Sequence, residues 1–257
     1  MTAHDTAPSW TVSVISHGHG ARILRCVEDI HRWLSGIPHA FVLTFNAGED
    51  VGFLDRLPEA LRANIRVIRN SSPRGFAANH NAALRGARSR FVLAADPDLS
   101  IEQDIFSALH DELARPERGI VAPLAYTSAG RPDDNGRRLA TPRAVLLRAV
   151  AGRSRDLPPA GYTTAREVDW LAGLFLALRA ETFEALGGFD ERYFMYCEDV
   201  DICLRARQLG LTILQRCDLR VTHDANRRTL KRPRHLSWHV ASLLRLWRSP
   251  AYRAARS

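Results

Sequence analysis

At 257 residues and 46% hydrophobic, the chain holds enough apolar material for one large α/β domain or two small ones and needs no covalent staple to bury a core. Its four cysteines, Cys26, Cys197, Cys203 and Cys217, make no Cys-x-x-Cys pair and have no histidines at zinc spacing, which excludes a disulfide framework or structural zinc site and predicts buried, reduced thiols. The net charge of +8 is local: residues 216–257 carry 11 Lys+Arg against Asp218 and Asp224, leaving 25 basic and 26 acidic groups in residues 1–215.

A neutral body with a basic tail can meet a phosphate-rich polymer or an anionic membrane surface, and charge alone does not choose between them. The opening MTAHDTAPSW has no basic-then-apolar leader pattern, and the longest apolar run, Trp170 to Leu178, falls short of the roughly 20 residues of a membrane span. A cytoplasmic protein is the expectation.

In chain order, short apolar runs alternate with amphipathic stretches, the pattern of βα units building a mostly parallel sheet flanked by helices. Trp10 to Ser16 reads as strand, Ile23 to Leu34 as helix, Ala40 to Asn46 and Ile65 to Asn70 as strands, Phe76 to Arg88 as helix, and Phe91 to Ala95 as the fourth strand. Each strand runs into small or polar residues: Ser16-His17-Gly18-His19-Gly20, Asn46-Ala47-Gly48-Glu49-Asp50, Ser71-Ser72-Pro73-Arg74-Gly75 and Asp96-Pro97-Asp98. Ligands of open α/β sheets sit beyond the carboxyl ends of the strands, so these four loops are expected to converge on one site.

Residues 125–166, rich in Arg, Pro, Gly and Asp, read as an irregular connection over the sheet. After the run from Val168 come a helix at Glu181 to Leu186, a turn at Gly187-Gly188-Phe189-Asp190, a helix from about Val200 to Leu209, and strands at Thr212 to Gln215 and Leu219 to Thr222. The expected organisation is one α/β domain over 10–224, with a nucleotide-binding half to about residue 100 and an acceptor half from 101, then a basic amphipathic tail over 225–257.

Asp96 and Asp98 leave the fourth strand as alternate residues of an extended segment. They therefore point the same way and are suited to hold a hard cation such as Mg2+ or Mn2+ against phosphates. Taken alone, the pair reads first as a turn in which Asp98 or Ser100 caps the next helix. Glu198 and Asp199 follow an aromatic cluster of Phe189, Tyr193, Phe194 and Tyr196. A carboxylate walled by rings has a raised pKa, which suits a general base, whereas Asp201 pairs with Arg205 one turn on. His223 ends a strand, and a lone histidine there is more often a surface residue than a ligand. His17 and His19 beside Gly18 and Gly20 either contact a nucleotide by close backbone approach or form a turn.

In this order these segments resemble the family-two glycosyltransferases, in their nonprocessive rhamnosyltransferase-like branch with the GT-A fold. The strongest segment runs from Trp170-Leu171-Ala172-Gly173 through Gly187-Gly188-Phe189-Asp190-Glu191-Arg192-Tyr193-Phe194 to Glu198-Asp199-Val200-Asp201-Ile202-Cys203-Leu204-Arg205. Gly75-Phe76-Ala77-Ala78-Asn79-His80-Asn81, Asp96-Pro97-Asp98-Leu99, Val221-Thr222-His223 and the tail from His235 to Trp247 support it. The resemblance implies that Asp96 and Asp98 bind a divalent metal (Mn2+ or Mg2+) with His223 as a further ligand. It implies that Asp199 is the catalytic base with Glu198 beside it, and that Asn46, Arg74, Gly75 and Asn81 line the site of a nucleotide-sugar donor, where Ser16 and His17, at the end of the first strand, and Asp96 are expected as well. The chain departs from the family where Pro-Thr-Tyr-Asn is usual and Ser16-His17-Gly18-His19 stands, where Phe45 replaces an Asp, and where Pro73 replaces an Asn. All three departures lie on the nucleotide side.

The implied reaction is an inverting transfer in one displacement, with L-rhamnose from dTDP-rhamnose as first candidate donor and a glycan or lipid-linked glycan of the bacterial surface as acceptor. Two other classes stand beside it: a nucleic-acid-binding module acting through the tail, disfavoured by the lack of an aromatic-basic stacking motif, and a non-catalytic sugar-binding or scaffolding homologue. In the tail, Leu236, Val240, Leu243, Leu244 and Trp247 fall at helical spacing on one face and Arg234, Ser237, Arg245 and Arg248 around the other, with Arg227, Arg228, Lys231 and Arg232 upstream. This helix is expected either at an anionic membrane surface, which would make the protein peripheral on the inner membrane, or packed on its own sheet or on a second subunit of a homodimer.

Overall fold

The computed structural model describes residues 8–46, 48–139, 141–142, 163–224 and 233–256. The first four apolar runs become the parallel strands β1 (Trp10–Ser16), β2 (His39–Phe45), β3 (Ile65–Arg69) and β4 (Phe91–Ala95), within a residue of the bounds their composition predicts. β1 and β4 are buried along their whole length, as continuous apolar strands covered on both faces must be. Between them lie α1 (Ile23–Trp33), the single turn α2 (Glu59–Arg62) and α3 (Phe76–Leu84). Ile23, Cys26, Val27 and Ile30 form the buried stripe of α1 at one-turn spacing. Helix α3 stops at Leu84, short of the expected Arg88, because Gly86 two residues on takes a left-handed φ of 70°.

The second half supplies β5 (Leu99–Ser100), α4 (Phe106–Leu113), β6 (Arg118–Thr127), β7 (Gly136–Arg137), β8 (Ala165–Glu167), β9 (Trp170–Leu171), β10 (Phe175–Arg179), α5 (Ala180–Ala185), α6 (Glu198–Gln208), β11 (Thr212–His223), α7 (Pro233–Arg248) and α8 (Pro250–Ala254). Among the described residues nine strands join in one sheet with the path β3-β2-β1-β4-β10-β6-β11-β5 and β8 on the side of β11, while β7 and β9 pair separately. β10 runs antiparallel to both β4 and β6, so it welds the parallel half to a second half in which β6 and β11 are again parallel.

The two expected strands at 212–215 and 219–222 are one, since the register shift between Arg216 and Arg220 absorbs the polar interruption as a bulge. Nor do Asp98 and Ser100 cap a helix: Leu99 and Ser100 are strand, and Asp104 accepts the Phe106 and Ser107 N–H groups at the start of α4. Of the stretch read as an irregular connection, residues 140 and 143–162 lie outside the described residues; the flanks carry β7 and β8. All four cysteines are free and buried, as composition predicts.

Candidate active site

Backbone pairing builds the acidic end of the site. The main chain of His223 is paired with Leu99 and that of Thr222 with Ser100, and Asp224 N–H donates to Asp98 O at 3.2 Å. The short strand β5 therefore carries the Asp96-Pro97-Asp98 loop back across the end of β11. His223 Nε2 lies 3.4 Å from Asp98 Oδ1 and 3.7 Å from Asp96 Oδ2, and the ligating atoms of the three residues all fall within 4.8 Å of one another. On the opposite side of the ring, His223 Nδ1 is 3.7 Å from Asp133 Oδ2.

These groups shift one another strongly. Burial would lower the His223 pKa, but the carboxylates of Asp133, Asp98 and Asp96 outweigh it and raise it to about 10. Burial, offset by His223 and reinforced by Asp98 and Asp199, lifts Asp96 to about 6. Asp98 goes the other way, since its hydrogen bond and charge interaction with His223 overcome its own burial. Two carboxylate oxygens and one imidazole nitrogen converging on one point are a donor set for a small divalent cation of the Mn2+ or Mg2+ kind.

The same loop is tied to the proposed base. Asp96 N–H donates to Leu174 O at 2.9 Å, and the neighbouring Gly173 N–H donates to Asp199 Oδ2 at 3.0 Å. Asp199 Oδ1 accepts from Val200 N–H at 2.8 Å, so each carboxylate oxygen holds one backbone donor. Gly173 is required here by close approach: a Cβ would stand 2.9 Å from the Phe76 ring. Burial raises the Asp199 pKa against the pull of these N–H groups and of Arg137. Glu198, 4% exposed and next to Asp199, is raised well above the carboxylate range by burial first and Asp199 second. Of the two, Asp199 is the one partly open to solvent.

Helix α6 starts at Glu198, two residues before the expected Val200, because Tyr196 and Cys197 both take left-handed conformations, φ 72° and 67°, that halt any earlier helix. Glu198, Asp199 and Asp201 thus fill its first turn, where the helix dipole favours anions, and Asp201 pairs with Arg205 at 2.7 Å as expected.

At the other end of the same edge the strand-end loops are joined by amide side chains. Asn46 Oδ1 accepts from Asn70 Nδ2 at 2.8 Å and from Arg74 N–H at 3.0 Å, and Asn70 Nδ2 also donates to Asn79 Oδ1 at 2.8 Å. Asn46 and Asn79 each donate to Arg74 O, and the Asn46 amide meets the His17 ring. Ser16 Oγ donates to Glu49 and accepts from His19 N–H. Ser16, His17, Asn46 and Arg74 are therefore brought together. Gly75 stands at the seam with the aromatic loop, where a Cβ would meet Phe194 O at 2.2 Å. Asn81 is placed elsewhere: 1% exposed, it accepts from Phe189 N–H and donates to Phe189 O and Glu191, clamping the Gly188-Phe189 turn.

The sequence of residues 8–240 matches the family described as glycosyltransferase-like family 2. The chain belongs to that family. Among curated relatives of this glycosyltransferase, the N-acetylglucosaminyl-diphospho-decaprenol L-rhamnosyltransferase of Mycobacterium tuberculosis is 30% identical over 219 residues, covering 75% of this chain and 71% of the relative. The rhamnosyltransferase WbbL of Escherichia coli K12 is 24% identical over 212 residues, 79% of this chain and 78% of the relative. The GT-A fold is shared with a mannosyltransferase from Pyrobaculum calidifontis solved with GDP-Man and Mn2+, at TM-score 0.62 and 20% identity over 96% of this chain and 67% of that one. GalNAc-T7 with UDP, GalNAc and Mn2+ superposes at TM-score 0.64 and 17% identity over 86% of this chain and 44% of its own.

Several residues around the candidate site have no local signal of their own in the sequence. Asp133 lies in the Pro- and Asp-rich stretch with no period to mark it, Asn70 shows only as the polar end of a strand run, and Glu49 and Asn79 stand inside the loop at 46–50 and the segment at 75–81 without a role assigned to them. In the tail, α7 divides its apolar residues. Leu243 and Leu246 are buried and Ser242 Oγ donates to Met195 O at 2.8 Å, whereas Leu236, Val240 and Leu244 are 61%, 48% and 42% exposed. Leu243 therefore leaves the single stripe assigned to it, since it turns toward the domain beside Leu246. Residues 225–232, with Arg227, Arg228, Lys231 and Arg232, lie outside the described residues. No helix among the described residues is long and apolar enough to cross a membrane.

Proposed function

We propose that this glycosyltransferase is a metal-dependent inverting enzyme that moves one sugar from a nucleotide donor to an acceptor hydroxyl. The first candidate is L-rhamnose from dTDP-rhamnose onto a lipid-linked glycan in bacterial surface polysaccharide synthesis. The observation that carries the reading is the convergence of Asp96, Asp98 and His223 on one point, one hydrogen-bonded residue pair away from Asp199. Asp96, Asp98 and His223 would hold the cation, which when bound neutralises the negative charge of the donor diphosphate as it leaves. Asp199 accepts the proton of the acceptor hydroxyl. The freed oxygen attacks the anomeric carbon on the face opposite the diphosphate, and the carbon–oxygen bond to that group breaks with its electron pair leaving on the nucleoside diphosphate. Burial and the neighbouring Asp199 bias Glu198 toward its neutral form, which favours Asp199 as the base. Ser16, His17, Asn46 and Arg74 would border the nucleoside, and Gly75 would let the aromatic loop approach it.

The names of both relatives support rhamnose, and that of the Mycobacterium tuberculosis enzyme supports a diphosphate-linked lipid acceptor. The test is product formation with Mn2+ from dTDP-rhamnose against UDP- and GDP-sugars, using an N-acetylglucosaminyl-diphospho-lipid as acceptor. Transfer from another donor only would replace the sugar, and no transfer or hydrolysis of any donor would favour the non-catalytic reading.

A lipid acceptor calls for a membrane surface on the cytoplasmic side, and α7 supplies one contact. Leu236, Val240 and Leu244 succeed one another at one-turn spacing on the outward side, near Arg234 and Arg248, the arrangement of an interfacial helix. Each basic group near anionic lipid contributes about 1 kcal/mol. Sedimentation with anionic vesicles at low salt, lost at high salt, with neutral vesicles and after truncation at Asp224, is the expected result. Equal partition onto neutral vesicles, or a concentration-dependent dimer with no vesicle binding, would assign the stripe to packing.

A further inference from the structure

We propose that Asp133 is the positioning residue for His223: its carboxylate fixes the imidazole so that Nε2 is presented to the cation alongside Asp96 and Asp98. The inference rests on the metal-site reading above. His223 stands between two sets of carboxylates, Asp96 and Asp98 facing Nε2 and Asp133 facing Nδ1. Asp133 is not one of the three residues whose ligating atoms cluster within 4.8 Å, so it meets the site through the ring. Among the described residues His223 Nδ1 has no hydrogen-bond partner at ordinary distance, and Asp133 Oδ2 is the carboxylate oxygen that faces it, at 3.7 Å. A ligating histidine donates its second N–H to a carboxylate or carbonyl, which sets the tautomer and makes the bound nitrogen a better donor.

The fold builds this arrangement from the backbone outward. His223 is in register with Thr127 and Val221 with Ala125, which puts the end of β6 beside the end of β11. The chain then turns and comes back along β6, where Asp133 N–H donates to Ala125 O at 2.8 Å. Asp133 Oδ1 accepts from Asp134 N–H at 2.9 Å, which orients the carboxylate with Oδ2 toward the ring. Asn135 locks the segment by accepting from Ala125 N–H at 3.0 Å and donating to Pro123 O at 2.9 Å.

The test is Mn2+ alone titrated into the full chain, with free Mn2+ read by electron paramagnetic resonance. The proteins are the wild type, Asp133→Asn, His223→Ala and the double variant. Asparagine keeps the shape and the bond to Asp134, and Asp133→Ser, whose hydroxyl can also accept that bond, is the second variant if Asp133→Asn melts early. The expected result is binding weaker by about 10–100-fold in Asp133→Asn, with the metal-free melting temperature unchanged. Adding Asp133→Asn to His223→Ala should cost nothing further, because a residue acting only through the ring loses its effect when the ring is gone. Wild-type affinity in Asp133→Asn beside a weakened His223→Ala, or an equal loss in both backgrounds, would overturn the proposal and leave the metal site standing. No Mn2+ binding by the wild type, or none lost in His223→Ala, would overturn the metal-site reading and this inference with it.

Discussion

Asn46 and Asp96 each stand just past the end of a parallel strand, β2 and β4, on the same edge of one sheet, yet their surroundings are opposite in kind. Around Asn46 the polar groups are neutral and satisfy one another: Asn70 and Asn79 complete a closed amide network that fixes the Arg74 backbone. Around Asp96 the groups are ionisable and face one another across gaps of 3.4 to 3.7 Å, with the His223 ring set between Asp96 and Asp98 on one side and Asp133 on the other. The neutral network is a finished scaffold whose loss shows as instability. On the proposed function the charged cluster is completed by a cation, so its loss should show in binding and rate.

The largest effect that distinguishes the two is expected at Asp199. Asp199→Asn keeps the shape and cannot accept a proton, so turnover should fall by about 10²–10⁴ while the nucleotide-induced melting shift stays. Its raised pKa also fixes a direction in pH. Asp199 must be ionised to act, so the rate should fall as pH drops and should do so at a higher pH than an ordinary carboxylate would give. Normal turnover in Asp199→Asn would pass the role to Glu198.

On the neutral side the effects should be thermodynamic. Gly75→Ala drives a Cβ into the Phe194 carbonyl, backbone against backbone, and should cost about 1–3 kcal/mol in urea unfolding, a typical overpacking penalty. Asn79→Ala leaves Asn70 without one acceptor and Arg74 O without one donor, and should cost about 1–2 kcal/mol as a broken, part-buried hydrogen-bond network. Arg74→Ala should be smallest, under about 1 kcal/mol, because its pair with Glu191 is 3.9 Å long and both side chains are well exposed. A loss of stability at Arg74 larger than at Asn79 would contradict the scaffold assignment.

How much of this was legible in the sequence follows the same division. The parallel strands, the Asp-Pro-Asp pair and the acidic start of α6 were readable because apolar runs and charged strand ends are local signals. That Asp98 faces His223 has no local signal and was implied only by the family resemblance, since it depends on the pairing of β5 with β11 across more than a hundred residues, and the two-residue β5 has no period to reveal it. Asn79 and Asn81 show the limit most plainly. Two positions apart on one helix, they face different neighbours, and the structure gives the network at Arg74 to Asn79 while Asn81 holds the Phe189 turn. In the tail, one-turn spacing marked an apolar helix but not which residues the domain would cover.

The central proposal for this protein is that Asp96, Asp98 and His223 form a cation site that serves a nucleotide diphosphate. Its most direct test is the melting temperature of the wild type and Asp98→Ala with dTDP, UDP and GDP, each with Mn2+ and with excess EDTA. One nucleotide should stabilise the wild type with Mn2+, EDTA should abolish the shift, and Asp98→Ala, folded as the wild type without ligand, should show none. A nucleotide shift that survives both EDTA and Asp98→Ala would contradict it.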